Sequence, residues 1–254
     1  MLSESKVKKT INQFLNSPIR STRKPGSYLW LGLDSSENFE LNKNKLNYYL
    51  ENPIEYHLNE DCFRSKVDFD DLKGKTVDLY IGCSHTFGTG HNWKNTWPYL
   101  VSKHTNNHIV NLGVPGGGVD ISYINLKKYI DKFKVKNVFH YQPIYARYYL
   151  FDGFHQTHSI TSSSTPYYSD FYKKHSLVKD ESIVYNHYRC IDACKGICSE
   201  KKVNYLHIND FLGKNDPITV FDDYINDIPA RDLRHWPVSA MKKISKLFIE
   251  KLAY

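Results

Sequence analysis

The largely apolar run from Val77 to Ile81 ends abruptly in Gly82-Cys83-Ser84, and the chain then turns through Thr86, Gly88 and Gly90. Apolar residues bounded by small ones read as a strand buried on both faces, the kind found in parallel sheets. Parallel strands need crossover connections, so this segment commits the chain around it to alternating strands and helices. It also sets Ser84 just past the carboxyl end of a strand, where open α/β sheets bind ligands. If a helix starts there, its first N–H groups have no partner within the helix and can stabilise an anion. A serine nucleophile needs that geometry.

From Lys75 onward the alternation is legible. Strands are predicted over 76–83, 108–111, 137–142 and 203–208, and helices over 97–103, 120–134, 182–201 and 239–252. Strands alternating with helices imply a parallel sheet with right-handed crossovers. The predicted fold is therefore α/β, a three-layer α/β/α sandwich on a parallel, flavodoxin-like sheet. Residues 1–72 carry little repeating pattern beyond a turn at Lys24-Pro25-Gly26 and an amphipathic arm with Val7, Ile11, Phe14 and Leu15 at helical spacing. Two parts are expected: 1–72 as an N-terminal arm and extension packed on the core, and 73–254 as the α/β domain.

The net charge of +7 mildly favours anionic partners, but the lysine pairs at 127–128, 173–174, 201–202 and 242–243 are spread out. A nucleic-acid footprint would cluster, so no nucleic-acid partner is expected. No segment approaches the roughly 18 apolar residues of a membrane span. Residues 1–17 are polar and Lys-rich without an apolar signal core, which predicts a cytoplasmic chain. The Lys-, Asn- and Tyr-rich composition hints at an AT-rich genome; for a viral chain, a virion location is the corresponding expectation. Cys190, Cys194 and Cys198 recur every fourth residue and so share one helix face. They read as buried small hydrophobes rather than a zinc knuckle, and no metal or organic cofactor is expected.

Gly82-Cys83-Ser84 resembles block I of the SGNH (GDSL-type) hydrolases, with Cys83 where the family has Asp. Asn111-Leu-Gly113-Val-Pro-Gly116 resembles block II. Asn59-Glu-Asp-Cys62-Phe63-Arg64 resembles the Asn-x-x-Gly-Phe-Arg segment that precedes block I in one branch, with Cys62 in place of Gly; on physical grounds alone it is a surface-packed loop. Asp232-Leu-Arg-His235 follows the last predicted strand and precedes the final helix, the place of the family's Asp-x-x-His. A second such pair, Asp152-Gly-Phe-His155, lies just after the third strand, and position favours His235. Block III departs: the family's Gly-x-Asn-Asp is absent, and the strand runs into Gln142, Pro143 and, further on, Arg147. The resemblance covers about residues 56–250 and implies the SGNH fold.

A serine hydroxyl is a weak nucleophile until a base removes its proton, and the base is commonly a histidine oriented by a carboxylate. Three-residue spacing suits one tight turn holding imidazole and carboxylate together. The resemblance thus implies Ser84 as nucleophile, His235 as base and Asp232 as its orienting carboxylate. The oxyanion donors it implies are the N–H groups of Ser84 and Gly116, with the Gln142 amide in place of the missing Asn. Arg147, Tyr148 and Tyr149 open an aromatic-rich segment and are candidate substrate-binding residues. The expected activity is hydrolysis of a small acyl ester, such as an O-acetyl group on a glycan. The alternative is a non-catalytic glycan-binding or structural protein on the same scaffold. Composition says nothing of oligomeric state.

Overall fold

The computed structural model describes residues 3, 5, 23–141, 148–151, 157–160, 180–208 and 227–253. The chain runs through β1 (Gly26–Tyr28), α1 (Ser36–Leu41), α2 (Tyr48–Glu51) and β2 (Tyr56–Leu58), then a 3-10 turn at Phe69–Leu72. Next come β3 (Thr76–Gly82), the single-turn α3 (Ser84–Phe87), α4 (Trp97–Thr105), β4 (His108–Asn111), α5 (Val119–Tyr129) and β5 (Lys134–Tyr141). The two-stranded antiparallel pair β6 (Tyr148–Phe151) and β7 (Thr157–Ile160) is followed by α6 (Asp180–Glu200), β8 (Asn204–Ile208) and α7 (Val238–Leu252).

Strands β4, β3, β5 and β8 lie in that order in one sheet, and every pairing is parallel. This is the flavodoxin-like order, with the first strand of the sheet in the interior and its connections crossing to both faces. Period-two alternation explains the layers. Val77, Leu79 and Ile81 of β3, with Val110 and Val138, pack under Ile121, Leu126 and Tyr129 of α5 and Cys194 and Cys198 of α6. Tyr80, Phe139, Tyr141, Leu206 and Ile208 face the other way, onto Trp97 and Val101 of α4 and Met241, Ile244 and Phe248 of α7. Helices on both faces of a parallel sheet make the α/β/α sandwich expected of the sequence.

Two boundaries differ from the sequence reading by three residues or more. The helix predicted over 120–134 stops at Tyr129, and β5 begins at Lys134 rather than at 137. Residues 134 and 135 pair with Thr76 and Val77, and the register then shifts between Val77 and Asp78. Cross-strand pairing outweighs the helical propensity of a lysine-rich stretch.

Residues 23–72 carry more structure than the sequence pattern marked. Leu31, Phe39, Leu46, Tyr49, Ile54, Tyr56 and Leu58 form a core of their own that closes over Phe87 of α3. Within the segment read as a surface-packed loop, Glu60 is exposed as expected, but Phe63 and Arg64 are interior, each 1% exposed. Tyr56 and Leu58 are turned inward by the antiparallel ladder of β1 with β2, which pairs Tyr28 with Tyr56 and Gly26 with Leu58.

Between the sheet and α6 lie three histidines. His140 of β5 is fully buried, its Nδ1 is 2.7 Å from the Tyr205 hydroxyl, and its ring centroid is 5.3 Å from that of His207 on β8. Burial pushes His140 well below the usual imidazole range, helped by repulsion from His207 and His187. Burial likewise takes His187 of α6 down to about 4, and His207 down to about 4 with His187 and Lys251 adding to it. Each is therefore neutral when folded and takes up a proton when unfolded. That stability is full above the unfolded value of 6.5 and is lost as pH falls from there towards the folded value near 4. A ring depressed this far loses about 2 kcal/mol between pH 7 and pH 5. Urea midpoints should fall steeply over that interval; a flat profile would contradict neutral, buried imidazoles.

Candidate active site

Gly82 ends β3 with φ +148°, and a Cβ there would come within 2.5 Å of the Tyr141 carbonyl, so only glycine fits. Cys83 is extended and caps α3, whose Thr86 and Phe87 N–H groups both close onto the Cys83 carbonyl, at 3.0 and 2.9 Å. Ser84 is the first residue of that turn and is 4% exposed, at the carboxyl edge of the sheet. Gly88 then takes a left-handed conformation, and the Ser84 carbonyl accepts from the N–H groups of Gly88 and Thr89. The sequence Gly-x-Ser-x-x-x-Gly is thus a sharp strand-to-turn corner with the serine at its apex.

The segment after β4 packs directly on this corner. The buried Asn111 side chain donates to the Thr86 carbonyl (2.9 Å) and accepts from the Gly113 N–H (2.9 Å), and Val114 N–H donates to the Gly82 carbonyl (3.0 Å). A Cβ on Gly113 would sit 2.5 Å from the Phe87 nitrogen, which is why the chain needs glycine at this approach. Gly116 has φ +77° in the turn that follows. Asn111, the first residue of the block II motif, ties the two candidate oxyanion segments into one unit through its amide.

Asp232 and His235 are brought together. The His235 Nδ1 lies 2.5 Å from Asp232 Oδ2, and Asp232 Oδ1 accepts from the N–H groups of Arg234 and His235, both at 3.2 Å. Leu233 between them is left-handed (φ +55°), which closes the turn. Burial alone would raise the Asp232 carboxyl, the largest single influence on it. The hydrogen bond and charge of His235 and the two backbone N–H groups together outweigh burial and hold it below the usual carboxylate range. An ionised carboxylate on Nδ1 leaves Nε2 of His235 as the nitrogen that can take a proton from elsewhere.

The pair stands beside the serine corner. The ring of His85, the neighbour of Ser84, is 5.1 Å from that of His235 between centroids. Residues 88–91 hold the 230–236 segment at several points. Arg231 N–H donates to the Gly90 carbonyl (2.9 Å), and Tyr49 Oη donates to the carbonyls of Gly90 (3.1 Å) and Pro229 (2.6 Å). Tyr56 Oη accepts from the Gly90 N–H (2.8 Å). The fully buried His91 donates from Nε2 to the Trp236 carbonyl (2.8 Å), and burial takes its ring down to about 4, keeping it neutral.

Two buried arginines frame this arrangement. Arg64 donates to the carbonyls of Phe87 (3.2 Å), Gly88 and His91 (2.8 Å), and its guanidinium lies 4.6 Å from the Tyr56 ring centroid. Arg231, next to Asp232, forms a two-pronged bond to Asp34, with Nε and Nη2 each 2.8 Å from a carboxylate oxygen. Gln142, Arg147 and the competing Asp152–His155 pair lie outside the described residues. Tyr148 and Tyr149 belong to β6, whose backbone alone is described. Among the described residues no cluster of His, Cys, Asp and Glu is arranged to hold a metal ion, and no helix is long and apolar enough to cross a membrane.

No protein-family model matches the chain, and no curated protein matches it. Among solved structures, one similar to it is that of a candidate lipolytic protein of the G-D-S-L family from Desulfitobacterium hafniense DCB-2. The identity is 14%, the TM-score 0.34, and the match covers 68% of this chain and 97% of that one. The α/β/α layering itself rests on the parallel sheet order and on the helices packed against both of its faces.

Proposed function

We propose that the chain is a serine ester hydrolase of SGNH type acting on a small acyl ester, with an O-acetylated glycan as the favoured substrate class. One observation carries this reading: an imidazole bonded to a buried carboxylate packs against His85, the neighbour of a serine at the carboxyl end of a central parallel strand. In the proposed mechanism Ser84 Oγ attacks the acyl carbonyl while His235 Nε2 takes its proton. Asp232 orients the ring and stabilises the imidazolium that forms. The N–H groups of Ser84 and Gly116 hold the oxyanion, with the Gln142 amide as a third donor. His235 then passes the proton to the leaving alcohol, and water clears the acyl-enzyme by the reverse sequence. Arg147, Tyr148 and Tyr149 are the proposed substrate contacts.

The block III departure favours one second reading. Loss of an oxyanion donor costs roughly 10²–10³ in kcat, and a chain without the family's Asn suits a glycan-binding protein that has given up catalysis. Intact-mass spectrometry after incubation with a fluorophosphonate separates the two. One adduct on the wild-type protein and none on Ser84→Ala is the expected result. No adduct on folded wild-type protein sinks the hydrolase reading in favour of the binding one.

A further inference from the structure

The two residues proposed to do chemistry each have an aromatic neighbour, and those neighbours touch. His85 follows Ser84 and Trp236 follows His235. Their rings stack face to face, with centroids 3.9 Å apart and planes 20° from parallel. The fully buried Tyr141, at the carboxyl end of β5, backs the stack edge-on, 6.0 Å from Trp236 and 6.3 Å from His85. His91 also holds the Trp236 carbonyl. The nucleophile corner and the base-bearing turn are therefore joined ring to ring, one bonded residue away from each reacting group.

We propose that His85 is a positioning residue: by stacking on Trp236 it sets the distance and angle of His235 relative to Ser84. The role rests on the hydrolase reading for its catalytic meaning, but the geometry it enforces is a property of the fold. Aromatic stacking supplies this better than aliphatic packing. A flat face fixes the spacing of two rings and resists tilt, whereas a branched side chain allows both. His85 also meets the His235 ring itself at 66°, so it touches the base as well as the base's neighbour. Small displacements matter here, because a misplacement of about 1 Å can cost roughly 10² in rate.

The test uses His85→Ala, His85→Phe, Trp236→Ala and the double alanine variant, with two readouts. The first is the rate of fluorophosphonate labelling of Ser84. The second is the downfield proton resonance of His235 Nδ1–H against Asp232, which needs no activity. His85→Ala is expected to slow labelling by roughly 10²-fold and to broaden the resonance into exchange with water. His85→Phe keeps a stackable ring and is expected to restore both. The double variant should be no worse than either single one, as for two halves of one contact. A sharp resonance and wild-type labelling in His85→Ala, or additive losses in the double variant, would overturn the role. If the wild-type protein takes no label, the hydrolase reading fails, and the resonance still decides the positioning claim: lost with Ala and kept with Phe supports it, kept with both overturns it. Should His85→Ala not fold, Trp236→Leu replaces it with the same expected loss.

Discussion

Replacing Arg231 by alanine is expected to cost about 3–5 kcal/mol of stability, the range for removing one partner of a buried ion pair. Arg231 and Asp34 are 2% and 1% exposed, and the guanidinium meets both carboxylate oxygens. Without it Asp34 keeps the Tyr56 hydroxyl as a donor but loses its countercharge in an interior that water does not reach. The Leu29 carbonyl and the face of Trp30, which the guanidinium also contacts, lose their partner as well. Urea unfolding at pH 7 reads the loss, and fluorophosphonate labelling should fall with it because residue 231 anchors Asp232. The paired substitution Asp34→Leu with Arg231→Met removes both charges and should recover much of the stability, since desolvation offsets most of what an ion pair contributes. A single alanine variant costing under about 1 kcal/mol would mean that the pair is solvated, as surface pairs are.

Arg64→Met is expected to be nearly as damaging, for a different reason. Arg64 is fully buried and its described bonds go to three carbonyls, those of Phe87, Gly88 and His91. Burial pushes its guanidinium down to about 10, with Tyr56 and Asp34 acting against the shift, so it stays charged at neutral pH. Removing it takes the donor from the Phe87 and His91 carbonyls at about 1–3 kcal/mol each, a total near 4 kcal/mol, while the Gly88 carbonyl keeps the His91 N–H. The segment those carbonyls belong to carries Gly90 and His91, which hold the turn of Asp232 and His235, so hydrogen exchange at the Arg231 amide should accelerate. Arg64→Lys retains charge without the planar fork and should fall between the two. A lysine variant as stable as the wild-type protein would show that charge, and not the fork, is what the carbonyls need.

The strands of the main sheet were legible because each is a short run with its own boundary signals; β4 falls on the residues that the pattern marks, 108–111. The three-residue spacing of Asp232 and His235 is likewise a local signal, and the contact it implies is present. What sequence could not show is contact between distant segments. Nothing near Asp34 announces Arg231, and a lone arginine in a polar stretch gives no hint that Arg64 will be interior. The core of residues 31–58 is built from scattered apolar positions on two short helices, one three-residue strand and the turns between them, too short for either period to register. The stack of His85 on Trp236 belongs to the same class: each ring is unremarkable until the fold sets them face to face.

The bond between Asp34 and Arg231 spans 197 residues of chain. During synthesis most residues of this core are made long before its cation, which leaves the Asp34 carboxylate without its countercharge until Arg231 emerges. Non-local closure of this kind is slow, because a long loop has to be ordered before the contact that rewards it. The proposed nucleophile corner, built from residues 82–117, can form by itself; the proposed base, His235, lies more than a hundred residues further along and joins it by another non-local closure. On the hydrolase reading, the site is therefore assembled after the corner that carries Ser84 rather than with it.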